Sequence, residues 1–143
     1  METKANRKAW GNNEGQSLVE FALVVPLLLL LVIGIAEFGR VWMTKNILTG
    51  AAREGVRMAA VAPPAGFDNV TWKAAVIARA DNILKSAGIT TDYNIDAVID
   101  VGGYQPVSVT VSYNFPVVIA GFIPGLDNAM IPLSSRTSMR REY

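Results

Sequence analysis

The chain has 143 residues, no Cys and no His, with 13 Lys and Arg against 12 Asp and Glu. That length suits one domain of ordinary size, and the balanced charge offers no basic face for nucleic acid. Without Cys there are no disulfides or thiolate metal sites, and without His the commonest general base and metal ligand is missing, so catalysis starts from a weak position.

The first element is a greasy run. Phe21 to Ala36 carries no charge in 16 residues, and twelve of these are Phe, Leu, Val or Ile. Such residues favour the bilayer centre by ~0.3–0.6 kcal/mol each, about 5 kcal/mol together before Pro26 and Gly34 subtract. At ~1.5 Å per residue the run covers ~24 Å, short of the ~30 Å hydrocarbon core. Spanning therefore recruits Leu18 and Val19 at one end and Phe38, Val41 and Trp42 at the other, which places Glu20 and Glu37 just inside the two boundaries. The transmembrane helix is expected over 16–42.

Three readings of this run compete. In a secretory signal peptide, Lys4, Arg7 and Lys8 form the basic region and Gly34-Ile35-Ala36 the small-x-small cleavage site. A plain single-pass anchor would have a poorly fixed orientation, because Arg40, Lys45 and Arg53 match the basic residues of the N-terminus. In a prepilin-type signal, Gly15 is followed by four residues and then by Glu20-Phe21, which abuts the apolar run.

Pro26 removes the helix bond to the Ala22 carbonyl and should kink or loosen the segment. From Glu37 to about Ala60 the periodicity stays helical, and Pro63-Pro64 ends it. Ile47, Ala51, Gly55 and Ala59 form a row of mostly small side chains at i+4 spacing, which permits close approach of another helix, within the domain or in a neighbour. Lys45, Thr49, Arg53 and Arg57 make a separate polar row with Glu54 beside Arg57, and Glu37 lies one turn before Arg40.

Asp68 to Thr71 offers N-caps for a second helix that Gly88 stops, with an apolar stripe of Trp72, Val76, Ala80, Ile83 and Ala87 and an Asp81–Lys85 pair. Trp72 is expected as a core anchor. Two alternating strands follow. Tyr93, Ile95, Ala97, Ile99 and Val101 share one face of the first, and Val107, Val109, Val111, Tyr113 and Phe115 one face of the second. Gly102-Gly103 and Pro106 bracket a hairpin turn. Ile131 to Arg140 reads as a third strand, with Pro132 marking an edge. Residues 116–130 are too apolar for a simple wet loop; they cover the sheet end, rest on the membrane surface or meet a partner, with partial burial preferred. The sum is an α+β fold: a long N-terminal transmembrane helix continuing into an amphipathic helix, a second helix, then a three-stranded antiparallel sheet.

Catalytic and metal chemistry finds no footing in this pattern. Asp96 and Asp100 share a strand face but lie ~13 Å apart at ~3.4 Å per residue, too far for a paired-carboxylate site. Asp92 with Asp96 lacks the clustered oxygens of a Ca²⁺ loop. No catalytic, cofactor-binding or metal residue is assigned, and no cofactor is expected.

The stretch GQSLVEFALVVPLLLLLVIGIAEFGR, followed by LTGAAREGVRMAA, resembles the TadE-like family of minor pilins, or pseudopilins, of the Tad/Flp type IV-like pilus. The resemblance implies a leader peptide, 1–15, removed after Gly15 by a prepilin peptidase. Gln16 would become the new N-terminus, with Glu20 and Phe21 just inside the mature helix. It also implies an extracytoplasmic α+β domain over 43–143, an N-in topology in the bacterial cytoplasmic membrane, and a role in pilus assembly without catalysis. The partners it implies are the membrane, other pilin or pseudopilin subunits, the assembly platform and the peptidase. Glu20 and Pro26, with Ala51, Gly55 and Ala59, are the residues this reading assigns to assembly and helix packing. The other class of function is a membrane-tethered or secreted binding module outside any pilus, with 116–130 or the sheet as its ligand surface.

Overall fold

The computed structural model describes residues 13–61, 68–99, 106–122, 125 and 128–140. Helix α1 runs Asn13–Ala60 and helix α2 Asn69–Ser86. Strands β1 (Tyr93–Val98), β2 (Val107–Pro116) and β3 (Met130–Met139) form one antiparallel sheet in the order β1-β2-β3, with a short 3-10 turn at Ile119–Phe122 between the last two. The α+β architecture expected from the sequence is the architecture observed. Two compact units divide between Ala36 and Glu37.

The first unit contributes one helical segment. Most of its side chains from Leu18 to Ile35 are Leu, Val or Ile and largely exposed, as the 73% exposure of Leu23 and the 72% of Leu27 illustrate. Pro26 lies inside the helix.

The second unit has two layers, helices on sheet. Its core takes Leu48, Ala51, Ala52, Val56 and Ala59 from α1, and Trp72, Val76, Ala80 and Leu84 from α2. The sheet supplies Ala97, Val107, Val109 and Val111. Small side chains on α1 let it lie close to its neighbours. Gly55 shows how close: a Cβ built there would stand 3.3 Å from Val109 Cγ1 and 3.4 Å from the Cβ of Ala80. The row Ala51, Gly55, Ala59 is thus buried inside its own domain. Trp72 is buried as a core anchor. The stripe of α2 turns slightly from the expected one, since Leu84 takes the buried place while Ile83 is half-buried and Ala87 exposed.

Helix α2 is closed at both ends. Asp68 caps it by accepting the Thr71 amide at 2.7 Å. At the other end Gly88 adopts φ +83°, and the amides of Gly88 and Ile89 bond to the carbonyls of Lys85 and Leu84 at 3.0 and 2.9 Å. That is the paired bonding of a Schellman turn, a conformation that favours glycine.

In the sheet, Tyr93 pairs with Tyr113 and Val111 with Ser135, so β2 is the central strand. Buried Val107, Val109 and Val111 line its inner face, and Ser108 is also buried. Strand β1 ends at Val98; Asp100, Val101 and the Gly102-Gly103 turn lie outside the described residues, as do Pro63-Pro64. β3 is an edge, as Pro132 implied. The Val117 amide bonds to the Ala129 carbonyl at 3.2 Å, which sets the phase of the ladder. Odd-numbered residues of β3 therefore bond to β2, and even-numbered ones turn their backbone groups to the open side. There Pro132 has no amide to offer, and the Ser134 carbonyl already accepts the Lys45 ammonium. Both devices discourage a stray strand from adding to this edge.

Candidate functional site

The residues assigned to processing and assembly fall into two sets. Gly15, Gln16, Glu20, Phe21 and Pro26 lie in the first unit on helical backbone, and all are exposed. Ala51, Gly55 and Ala59 lie in the second, buried. Within the first set, Gln16 Nε2 donates to Glu20 Oε1 at 3.2 Å, so the acid stands on the same helix face as Gln16, one turn away. Nothing lies within 4 Å of a Cβ built on Gly15. The helix carrying these residues is long and apolar enough to cross a membrane, its most apolar window having mean hydropathy 2.9 and no buried share. Lys4, Arg7 and Lys8 lie outside the described residues.

Residues 15–57 match the TadE-like protein family model. The matched segment begins at Gly15 and ends at Arg57 in the AAREGVR stretch. It covers the exposed apolar helix and most of the part of α1 that packs into the domain; the strands lie beyond it. No curated protein and no solved structure matches the chain.

Past the apolar run, the TadE-like segment is tied to the rest of its domain by polar contacts. Glu37 holds Arg40 at 2.9 and 3.0 Å, the ion pair its spacing implied. It also accepts the amide of Val118 at 3.0 Å, a bond across 81 residues that sequence spacing does not reveal. The Arg40 guanidinium sits 5.0 Å from the ring centroid of Phe115, a cation–π contact. Further along, Glu54 pairs with Arg57, as expected, and with Arg79 of α2 at 2.8 Å. The bond from Arg79, helped by Arg57, holds the Glu54 carboxyl below its ordinary range. Thr49 and Ser135 share a hydroxyl–hydroxyl bond of 3.0 Å, joining α1 to β3.

A second polar cluster ties α2 to β1. Asp81 pairs with Lys85 at 2.6 Å and accepts the Tyr93 hydroxyl. The bond to Lys85, then that to Tyr93, lowers the Asp81 carboxyl, and the same bonds raise Lys85 and Tyr93. Asp96 meets Lys73 at 3.4 Å, a surface contact and not a catalytic pair. Among the described residues there is no group of three metal-ligating side chains. The polar clusters are joints between elements.

Proposed function

We propose that the protein is a minor pilin or pseudopilin that takes part in assembling a Tad/Flp-type pilus. A prepilin peptidase cleaves it after Gly15 on the cytoplasmic side. It stands N-in across the bacterial cytoplasmic membrane, with the α+β domain outside. The observation that carries this reading is the placement of Glu20: five residues after Gly15, on the face of Gln16, at the mouth of an exposed apolar helix whose family match starts at Gly15.

The chemistry explains why an acid belongs there. Cleavage leaves an α-ammonium on Gln16 at a helix N-terminus, and both are positive. Glu20, about 6 Å further along the axis, can neutralise its own terminus or that of a neighbouring subunit. A charge left alone in hydrocarbon costs about 2.5–3.5 kcal/mol on the insertion scale, so subunits that leave the pair unmade are rejected and axial register is fixed. The exposed aliphatic side chains of residues 18–35 provide the helix–helix and helix–lipid surface. Pro26 loosens that helix for packing, while Ala51, Gly55 and Ala59 bring α1 close to its own domain. Action is by assembly, without catalysis or cofactor.

The test is a Glu20→Ala variant expressed in the native host lacking the wild-type copy. Its incorporation into the pilus or its assembly complex is expected to fall at least about tenfold, matching a loss above ~1.4 kcal/mol. Incorporation at the wild-type level would remove the role given to the acid.

A further inference from the structure

Cleavage after Gly15 would leave Gln16 at the N-terminus, and glutamine in that position has a reaction of its own. Its α-amine can attack Cδ, the carboxamide carbon of the same residue. The N–Cδ bond forms and the Cδ–Nε2 bond breaks. A proton passes from the amine to the leaving nitrogen, ammonia departs, and a five-membered lactam remains. The step needs no oxidant, reductant or co-reactant. In the uncut chain the same nitrogen is a peptide amide with a delocalised lone pair, so the reaction opens only when the leader goes.

The Gln16 carboxamide is already engaged. Its Nε2 donates to Oε1 of Glu20 at 3.2 Å, one turn further along α1. Gln16 is exposed, so its side chain is restrained by this bond and not by burial. Closing the lactam requires the bond to break and Cδ to turn back onto its own backbone nitrogen. At neutral pH an α-amine is mostly the ammonium, which has no lone pair with which to attack. In the proposed pairing the Glu20 carboxylate is the counter-ion of that ammonium. One acid therefore restrains both partners in the reaction.

We infer that Gln16 is a modification site, convertible to a neutral N-terminal lactam, and that Glu20 is the residue that holds it open. The inference rests on the cleavage proposed after Gly15 and goes beyond it, since the acid preserves the charge with which it pairs. Closure erases that ammonium. A closed subunit then offers no cation to its own Glu20 or to a neighbour's, and an unpaired charge at the hydrocarbon edge is costly. Cyclised subunits are thereby excluded from assembly.

Residues 16–40, the first fragment that trypsin would release from the cut chain, contain one Gln and no Asn, so loss of ammonia there reports Gln16. Wild-type, Glu20→Ala and Glu20→Gln chains are purified from the native membrane in detergent and held at neutral pH for several days. An amine-reactive tag is added before digestion, and the N-terminal fragment is weighed. Open-chain Gln16 takes the tag; the lactam, lighter by one ammonia, does not. Wild type is expected to stay predominantly tagged. Lactam should accumulate at least about threefold faster in Glu20→Ala, the modest factor expected of one charge-assisted bond at an exposed site. Glu20→Gln, whose carbonyl still accepts but carries no charge, should fall between. Equal rates in all three, or wild type already closed as purified, would overturn the inference and leave the cleavage standing. A wild-type fragment that begins upstream of Gln16 would overturn the cleavage and this inference together.

Discussion

Residues 18–35 and residues 48–60 of α1 use their apolar side chains in opposite ways. The first stretch carries Leu, Val and Ile almost continuously, and Leu28, Leu29, Leu30 and Leu31 are all more than half exposed. In the second, Leu48, Ala51, Ala52, Val56 and Ala59 are fully buried among α2 and the sheet. The first stretch keeps its large side chains outside, on a helix apolar enough to cross a membrane, whereas Ala51, Ala52, Gly55 and Ala59 lie inside, where a protein layer must come close. A single secondary structure thus serves two environments, and residue size marks which is which.

The widest gap between the regions should appear on truncating leucine. Leu48→Ala or Leu84→Ala removes a fully buried side chain and should cost ~2–5 kcal/mol of domain stability. Leu28→Ala should leave domain unfolding within about 0.5 kcal/mol, read by thermal or denaturant melts in the same detergent. Comparable losses from Leu28→Ala and Leu48→Ala would dissolve the distinction.

Gly55 sharpens it on the small-residue side. A Leu there has no room beside Val109 and Ala80, and overpacking of ~1–3 kcal/mol or more is expected. Gly55→Ala should change stability far less, because helix propensity gains up to ~1 kcal/mol while Val109 must yield a few tenths of an ångström. Glycine to leucine at Gly39, exposed and with nothing within 4 Å of an added Cβ, should be tolerated by the fold.

The smallest effect is on pH dependence, confined to the second unit. The carboxyls of Asp81, Glu54 and Asp68 are lowered by their hydrogen-bond donors: Lys85 and Tyr93, Arg79 and Arg57, and Thr71. Each contributes stability above its ordinary value, 3.8 for Asp and 4.5 for Glu, and that contribution is lost as pH falls through the lowered value. Tyr93 and Lys85 are raised above 10.0 and 10.5, so their contribution is full below those values and fades as pH climbs past them. Unfolding midpoints should therefore be flat between about pH 5 and 9 and fall outside that range. Tyr93→Phe should lower the plateau slightly and remove its share of the alkaline fall. A midpoint that rises on acidification would contradict the assignment of these joints.

Much of this was written locally in the chain. Strict alternation at Val107, Val109 and Val111 gives the central strand, Asp68 and Gly88 give both ends of α2, and Pro132 gives the sheet edge. The long apolar helix is legible for the same reason, being a short-range pattern. What could not be read was long-range. Nothing near Glu37 shows that it takes the Val118 amide, nor near Lys45 that its ammonium reaches Ser134, nor near Arg79 that Glu54 is its partner. Ser108 and Ser135, polar in sequence, are buried by cross-strand and helix neighbours that only the tertiary fold brings together. The Leu84-for-Ala87 shift on α2 has the same origin, since the sheet decides which side of a marginal stripe is covered.

Processing after Gly15 would separate a pilin-type subunit from a plain anchor and from a secreted domain. Intact mass of the protein purified from its native membrane decides that. Loss of residues 1–15, leaving Gln16 as the N-terminus, is the predicted result. A full-length mass would mean a plain anchor, and loss of 1–36 a secreted domain; either would contradict it.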